Sequence, residues 1–237
     1  NLAVKKKLKA IAITDHDTIN GINEGLKAAK GKNIEIVPGV EISSDDPGFV
    51  DTHILGLLIN CRNKSLNSLL KKSQKFREQQ KKEIINKFKK LGFKISYKEV
   101  KSLAKGEIGR PHIAQIVLKN NPDKIYSIDD VFDRYLAVGK RAYVERKKKI
   151  SVNEAIKAIH SAGGLAFIAH PGVYNNFDIE EFVRYFLKNG GDGIETYYDY
   201  KDTRCHTGFK QSNQINKKFQ KFAEKLNDEI ETHLFNK

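Results

Sequence analysis

Three short apolar runs near the start of the chain each adjoin a cluster of Asp, His or Glu, and this pairing constrains the fold more than any other feature. They read KAIAITDHDTINGI, IEIVPGVEIS and DTHILG, and together they occupy Lys9 to Gly56. Runs of this length, bounded by turn residues and followed by a helical pattern, predict strands of an α/β sheet. Charged residues at the strand ends then fall where such folds build their sites. His16, Glu41 and His53 are thereby placed to converge, and His170, which ends the apolar run LAFIA, is a fourth candidate. Imidazoles with one carboxylate suit a divalent transition ion. The neutral nitrogens bind it, while the carboxylate offsets charge and can bridge two ions.

The individual strands and helices follow in order. Leu2 to Leu8 predicts a helix and Ala10 to Thr14 a strand covered on both faces. Ile19 to Lys30 predicts a helix ended by Gly31, and Ile34 to Val37 a second strand that Pro38 and Gly39 disturb before Val40-Glu41-Ile42. SSDDPGFVD reads as a polar loop, and His53 to Ile59 as a third strand. From Arg62 the pattern changes. Leu66, Leu69, Leu70, Phe76, Ile84, Phe88 and Leu91 recur at helical spacing through Lys-rich sequence until Gly92. Helices over Tyr97 to Ala104, Pro111 to Lys119 and Ile128 to Val138 follow. After Ile150 the α/β pattern returns with a helix from Val152 to Ala162 capped by Ser151 and a strand from Leu165 to Ala169. It continues with a helix from Ile179 to Leu187, a strand from Gly193 to Thr196 with Glu195 near its end, and a helix from Gln214 to Leu226. Three segments result: an α/β part over 1–63, an all-α insertion over 64–147, and a second α/β part over 148–237.

Charge separates these segments. The chain carries a net charge of +14, and Lys64 to Lys147 holds 22 Lys and Arg against 9 Asp and Glu. Such a local excess attracts polyanions; solvated Lys on helix faces is the plainer account. No run is long and apolar enough to span a membrane, and no N-terminal secretory signal is visible. Cys61 and Cys205 are too few for a disulfide framework or a thiolate zinc site, which favours a reduced, cytoplasmic setting. The chain has no Met and opens on NLAVKKKLKA, which resembles the second half of an amphipathic helix, so a fragment of a longer protein is expected.

Each candidate has an ordinary alternative. His16 lies in Thr14-Asp15-His16-Asp17, which is also a polar turn able to cap the next helix; Asp15 and Asp17 are candidates for orienting the His16 ring. Glu41 in an apolar stretch needs a cation, a proton or a Lys partner. His53 opens a strand, and Pro171 after His170 fixes the backbone so that the ring leaves the sheet edge. In Gly109-Arg110-Pro111-His112, Pro starts a helix whose free N–H groups, with Arg110 and His112, form an anion pocket or simply a helix start. Arg77, among Lys75, Lys81 and Lys82, is a further phosphate contact or part of a solvated face.

TDHDT, PGVEIS, THILG, the basic helix, GRPHIA, AFIAHP and GDGIE, in this order, resemble the PHP (polymerase and histidinol phosphatase) domain family. They are most similar to its branch of metal-dependent phosphoesterases with a helical insertion, which acts on nucleoside bisphosphates and short oligonucleotides. The resemblance implies a distorted seven-stranded α/β barrel. It implies that His16 binds one metal, that Glu41 bridges two, and that His53 with His170 completes a second site. Arg77, Arg110 and His112 match phosphate-holding positions. The family's opening H-x-H strand with its S-D-G turn and its closing G-S-D-x-H motif are not in the sequence, and His233 does not replace the latter. The barrel is therefore expected to be incomplete at both ends. Of up to three divalent ions (Mn, Zn or Fe), only the Glu41–His53–His170 site keeps its ligands, so this chain is expected to be weakly active or inactive alone. The expected activity is hydrolysis of phosphate esters of nucleotides or short single-stranded nucleic acid, as a phosphatase or exonuclease. Alternatives are a small-metabolite phosphatase, such as one for histidinol phosphate, and a non-catalytic nucleic-acid-binding module.

Overall fold

The structure, a computed structural model, describes residues 1–104, 108–145, 150–174, 176–200 and 209–235. The chain divides into two compact units, one formed by Asn1–Lys71 with Ile150–Lys237 and the other by Lys72–Lys149.

The first unit is α/β. Among its described residues, a five-stranded sheet runs in the order β1 (Ala10–Ile13), β2 (Glu35–Asp46), β3 (Phe49–Leu57), β4 (Leu165–Ile168) and β5 (Gly193–Ile194). The outer pairs β1–β2 and β4–β5 are parallel, and β2–β3 and β3–β4 are antiparallel. The helices α1 (Leu2–Lys5), α2 (Asn20–Ala29), α7 (Val152–Ser161), α8 (Ile179–Lys188) and α9 (Phe209–Phe235) belong to this unit, as does the start of α3 (Lys64–Lys90). Val40 and Ile42 of β2, Ile54 of β3, Ile168 of β4 and Ile156 and Ile159 of α7 are all buried, and they form one apolar layer between sheet and helix. Ser151 caps α7 by accepting the Glu154 N–H, while the Glu154 carboxylate accepts the Ser151 N–H.

Two readings of the strands change. β2 is a single strand that runs through Pro38. Its first half pairs with β1 up to Pro38 and its second half pairs with β3 from Gly39, so the proline sits where one partner gives way to the other. A missing N–H costs little at such a changeover. The polar stretch SSDDPGFVD is the end of a β-hairpin, not a loop, with Asp46 paired to Phe49 across Pro47-Gly48. Gly48 has φ +89°, as the residue after proline in a type II turn requires. Ser44 and Thr52 are buried but bond to each other: their hydroxyls lie 2.9 Å apart, and the Thr52 hydroxyl donates to the Ser44 carbonyl at 3.0 Å. β1 also differs from the expected strand buried on both faces. It lies at the sheet edge, with Ala10 and Ala12 exposed.

The second unit is helical: most of α3, α4 (Tyr97–Ala104), α5 (Arg110–Asn120), and α6 (Ile128–Val131) running into a π-turn over Phe132–Leu136. That π-turn interrupts the single helix expected from Ile128 to Val138. Ile84, Phe88, Ile113, Val117, Val131 and Leu136 centre its own apolar core. Gly92, with φ +79°, ends α3 as expected. The final helix α9 is longer than the sequence pattern suggested, and Cys205 lies outside the described residues.

Candidate metal centre

Strand register explains why distant side chains meet. Glu41 and Ser43 point to one face of β2, and opposite them on β3 stand Leu55 and His53. Glu41 and His53 are thus diagonal neighbours on the same face. The chain leaving β1 passes beside β2, with a parallel bridge between His16 and Glu41. The Asp17 N–H donates to the Glu41 carbonyl at 2.8 Å, and the Glu41 N–H donates to the Asp15 carbonyl at 3.2 Å. On the other side, the Ala169 N–H donates to the His53 carbonyl, which delivers the next residue, His170, to the same place.

The Glu41 Oε1 atom is the focus. His53 Nδ1 lies 2.8 Å from it, His170 Nε2 3.0 Å and His16 Nδ1 3.7 Å. His53 Nδ1 and His170 Nε2 are 3.0 Å apart. The donor atoms of His16, Glu41 and His53 all lie within 4.8 Å of one another, a spacing able to hold an ion. Glu41 and His170 have side chains only 15% and 12% exposed, whereas that of His16 is 44% exposed, so the cluster opens to solvent on the His16 side. Burial pushes the Glu41 carboxyl pKa upward, but hydrogen bonds from His170 and His53 and the charges of His53 and His16 outweigh it, holding the group far below the usual carboxylate range. Glu41 is therefore anionic at neutral pH.

The donor set fits a divalent ion. Two ring nitrogens 3.0 Å apart, both within 3.0 Å of one carboxylate oxygen, bring three ligand atoms of the kinds such an ion takes to a single point. Ligands at about 2.0–2.1 Å in a tetrahedron stand about 3.3 Å apart, so the pairs seen here need to open by only a few tenths of an ångström.

Neighbouring groups hold this arrangement. His170 has left-handed backbone angles, φ +33° and ψ +57°, which are costly for a residue with a Cβ. Glu195 Oε2 accepts the His170 N–H at 2.7 Å and helps fix that conformation. Burial raises the Glu195 pKa, and the negative charge of Glu41 adds to this, while the hydrogen bond from His170 opposes both. The Tyr174 hydroxyl accepts the His53 N–H at 2.9 Å. The Tyr174 ring lies 5.6 Å from His170, and the Tyr198 ring 5.4 Å from it on centroid measure. Tyr174, Tyr198 and Ser43 carry no signal in the sequence beyond the closeness of Tyr174 to His170-Pro171. Asp17 is fully buried, and its carboxylate accepts from the Ser43 N–H at 3.0 Å and the Ser43 hydroxyl at 2.9 Å. Asp15 places its carboxylate against Gly21 at the start of α2.

The other three candidates belong to the helical unit. His112 Nδ1 accepts the Gly109 N–H at 2.9 Å and so caps α5. In the neutral ring this leaves the proton on Nε2, a donor suited to an anion. Arg110 lies over the Tyr143 ring at 5.9 Å. Arg77 lines a cavity of about 180 Å³ with Lys81, Lys101, Glu78 and Tyr97, and Ile108, next to Gly109, borders the same cavity.

An α/β sheet in which two strands and the segments following two others gather three imidazoles around one largely covered carboxylate has the construction of a metal-assisted hydrolase. The chain belongs to the PHP domain family, which matches residues 1–149. It is 37% identical over 195 residues to a 5'-3' exoribonuclease of Haemophilus influenzae, covering 81% of this chain and 70% of that one. It is 31% identical over 196 residues to a 3',5'-nucleoside bisphosphate phosphatase of Chromobacterium violaceum, covering 78% and 65%. A metal-dependent phosphoesterase from Bifidobacterium adolescentis shares the fold, with a TM-score of 0.75 at 24% identity over 90% of this chain and 73% of that one. The chain spans about two thirds of the length of the curated relatives it matches. Among the described residues, no helix is long and apolar enough to cross a membrane.

Proposed function

We propose that this chain carries the catalytic core of a metal-dependent phosphoesterase that hydrolyses phosphate esters of nucleotides or short single-stranded oligonucleotides in the cytoplasm. The observation that carries the reading is the convergence of His16, His53 and His170 on one anionic oxygen of Glu41, in a chain 37% identical to an exoribonuclease. In this proposal Glu41 would be shared between two cation positions, with His16 serving one and His53 with His170 the other; Mn, Zn or Fe would each suit these donors. The five strands belong to a distorted seven-stranded barrel, and the helical unit is an insertion within it.

A divalent ion held by these residues supplies Lewis acidity toward a water and the phosphoryl oxygens. The protein's part is to hold the donors. Glu41 stays ionised, the backbone bond to Glu195 fixes His170, and Tyr174 fixes the strand at His53. Arg77, Arg110 and the Nε2–H of His112 hold substrate phosphate, while Asp15 and Asp17 shape the turn that presents His16.

Hydrolysis after metal loading tests this, read as phosphate release from a nucleoside 3',5'-bisphosphate and from histidinol phosphate and as mononucleotide release from a 5'-phosphorylated oligoribonucleotide, compared side by side. Weak metal-dependent turnover that favours the nucleotides is the expected result. A preference for histidinol phosphate would move the chain to metabolite phosphatases. Salt-sensitive oligonucleotide binding without any cleavage would make it a binding module.

A further inference from the structure

The helical unit carries a second feature that the phosphate-holding residues do not use. Beyond the C-terminal end of α3 is a cavity of about 430 Å³, lined by Phe93, Lys124, Tyr126, Arg134, Tyr135 and Arg141. Leu91, also on its wall, stands fourteen residues beyond Arg77, a rise of about 20 Å along the helix. The cavity is therefore separate from the one that Arg77 lines.

Its walls combine aromatic faces with cations that the fold already holds in place. The Lys124 ammonium donates to the Gly92 carbonyl at 2.7 Å and lies 5.4 Å from the centre of the Phe93 ring. The Arg134 guanidinium donates to Asp130 and to the Lys124 carbonyl, and lies 5.2 Å from the centre of the Tyr135 ring. Asp123 also lines the wall, and Asp130 neutralises much of Arg134, so the excess positive charge rests with Lys124 and Arg141. Tyr126 is 82% exposed, although its N–H is anchored to Asp130 at 3.2 Å. A fixed backbone thus presents an uncovered ring beside two cations.

One exposed ring is ordinary on a protein surface. A ring at the mouth of a nucleotide-sized cavity, flanked by cations, is the combination that binds single-stranded nucleic acid. The ring stacks a base whatever its identity, and the cations take the phosphates on either side. Lys124, already held by the Gly92 carbonyl and the Phe93 ring, loses little freedom on binding. The geometry points to an auxiliary site at this end of the helical unit that holds one nucleotide of a single-stranded RNA or DNA chain. Its base stacks on Tyr126, and its flanking phosphates meet Lys124 and Arg141. This inference rests on the oligonucleotide reading above and adds to it that affinity grows with chain length.

Fluorescence anisotropy in EDTA, which prevents cleavage, tests it with a labelled oligouridylate twelve-mer and with a nucleoside 3',5'-bisphosphate as competitor. Tyr126→Ala and Arg141→Glu should each weaken twelve-mer binding about tenfold or more. Tyr126→Phe, which keeps the ring, should bind like the parent, and so should Lys98→Glu, an equal charge change at another exposed position of the unit. Competition by the bisphosphate should be the same in all variants. Twelve-mer affinity within twofold of the parent in Tyr126→Ala overturns the auxiliary site while leaving the oligonucleotide reading intact. Parallel loss of bisphosphate affinity also overturns it, because the cavity is then a mononucleotide site. A parent that binds no twelve-mer overturns the auxiliary site, and the hydrolysis comparison with metal decides the oligonucleotide reading separately.

Discussion

Asp17 offers the most direct test of how the centre is held. It is fully buried at φ +55°, its N–H donates to the Glu41 carbonyl, and its carboxylate accepts both the N–H and the hydroxyl of Ser43, itself only 3% exposed. In this geometry it braces the His16 turn against β2. Asp17→Ala strands two buried donors, each worth about 1–3 kcal/mol, and puts a Cβ residue without a polar side chain into a left-handed conformation at about 1 kcal/mol more. The expected loss is about 4 kcal/mol. Asp17→Asn keeps an oxygen for the Ser43 N–H and an amide able to donate to the Ser43 hydroxyl, so it should lose only about 1 kcal/mol. Ser43→Ala removes one of the two bonds and should lose about 1–2 kcal/mol. Because that bond can be lost only once, Asp17→Ala and Ser43→Ala combined should fall short of additivity by about 1 kcal/mol. Urea denaturation of the metal-free protein measures all four variants as midpoint shifts at constant slope. Additivity within about 0.3 kcal/mol would refute the brace. Equal damage from Asp17→Asn and Asp17→Ala would show instead that the carboxylate charge matters, through His16.

Two other perturbations separate the metal donors from their scaffold. Glu41→Gln removes the acid on which the three imidazoles converge, so metal affinity should fall about a hundredfold or more. The gain in melting temperature on adding Mn should vanish with it, since at a concentration of 100 Kd that gain corresponds to about 2.7 kcal/mol; unchanged metal content by elemental analysis would contradict the assignment. Gly39→Ala should lose about 1–3 kcal/mol and weaken metal binding, because the new Cβ would stand 2.8 Å from the Gly56 carbonyl oxygen and 3.2 Å from that of Ile13, neither of which can swing aside. Gly31→Ala, at φ +74° in open space, should cost about 1 kcal/mol and leave metal affinity untouched; equal behaviour of the two glycine variants would show that the strands are not in close contact there.

Much of this centre was legible in the sequence because its donors sit at the ends of apolar runs, and such runs report strands whatever their partners. AIAI, HILG and LAFI each became a strand, and His16, His53 and His170 were picked out by adjoining them. What failed to show was anything that depends on pairing. Pro38 reads as a break, yet β2 continues because it changes partner there. Ser43 and Ser44 read as loop by polarity alone, yet they are buried, since the Ser43 hydroxyl finds its partner on Asp17 and the Ser44 hydroxyl on Thr52 across the hairpin. β1 reads as covered on both faces, yet among the described residues it pairs with β2 alone and Ala10 and Ala12 are exposed.

The same dependence on pairing explains why the carboxylate belongs to the central strand of the cluster. β2 meets the chain leaving β1 on one side and β3 on the other, so a side chain at Glu41 faces donors from both. A register slip of one residue would turn Glu41 into the apolar layer and Val40 or Ile42 toward the imidazoles. That slip is opposed from three directions. Val40 and Ile42 are wholly buried on the opposite face, Asp17 pins Ser43, and the Ser44–Thr52 hydroxyl pair locks the hairpin. An ion bound at Glu41 would add to a register that packing already enforces, and for this reason removing the metal should lower the melting temperature without unpairing β2 from β3.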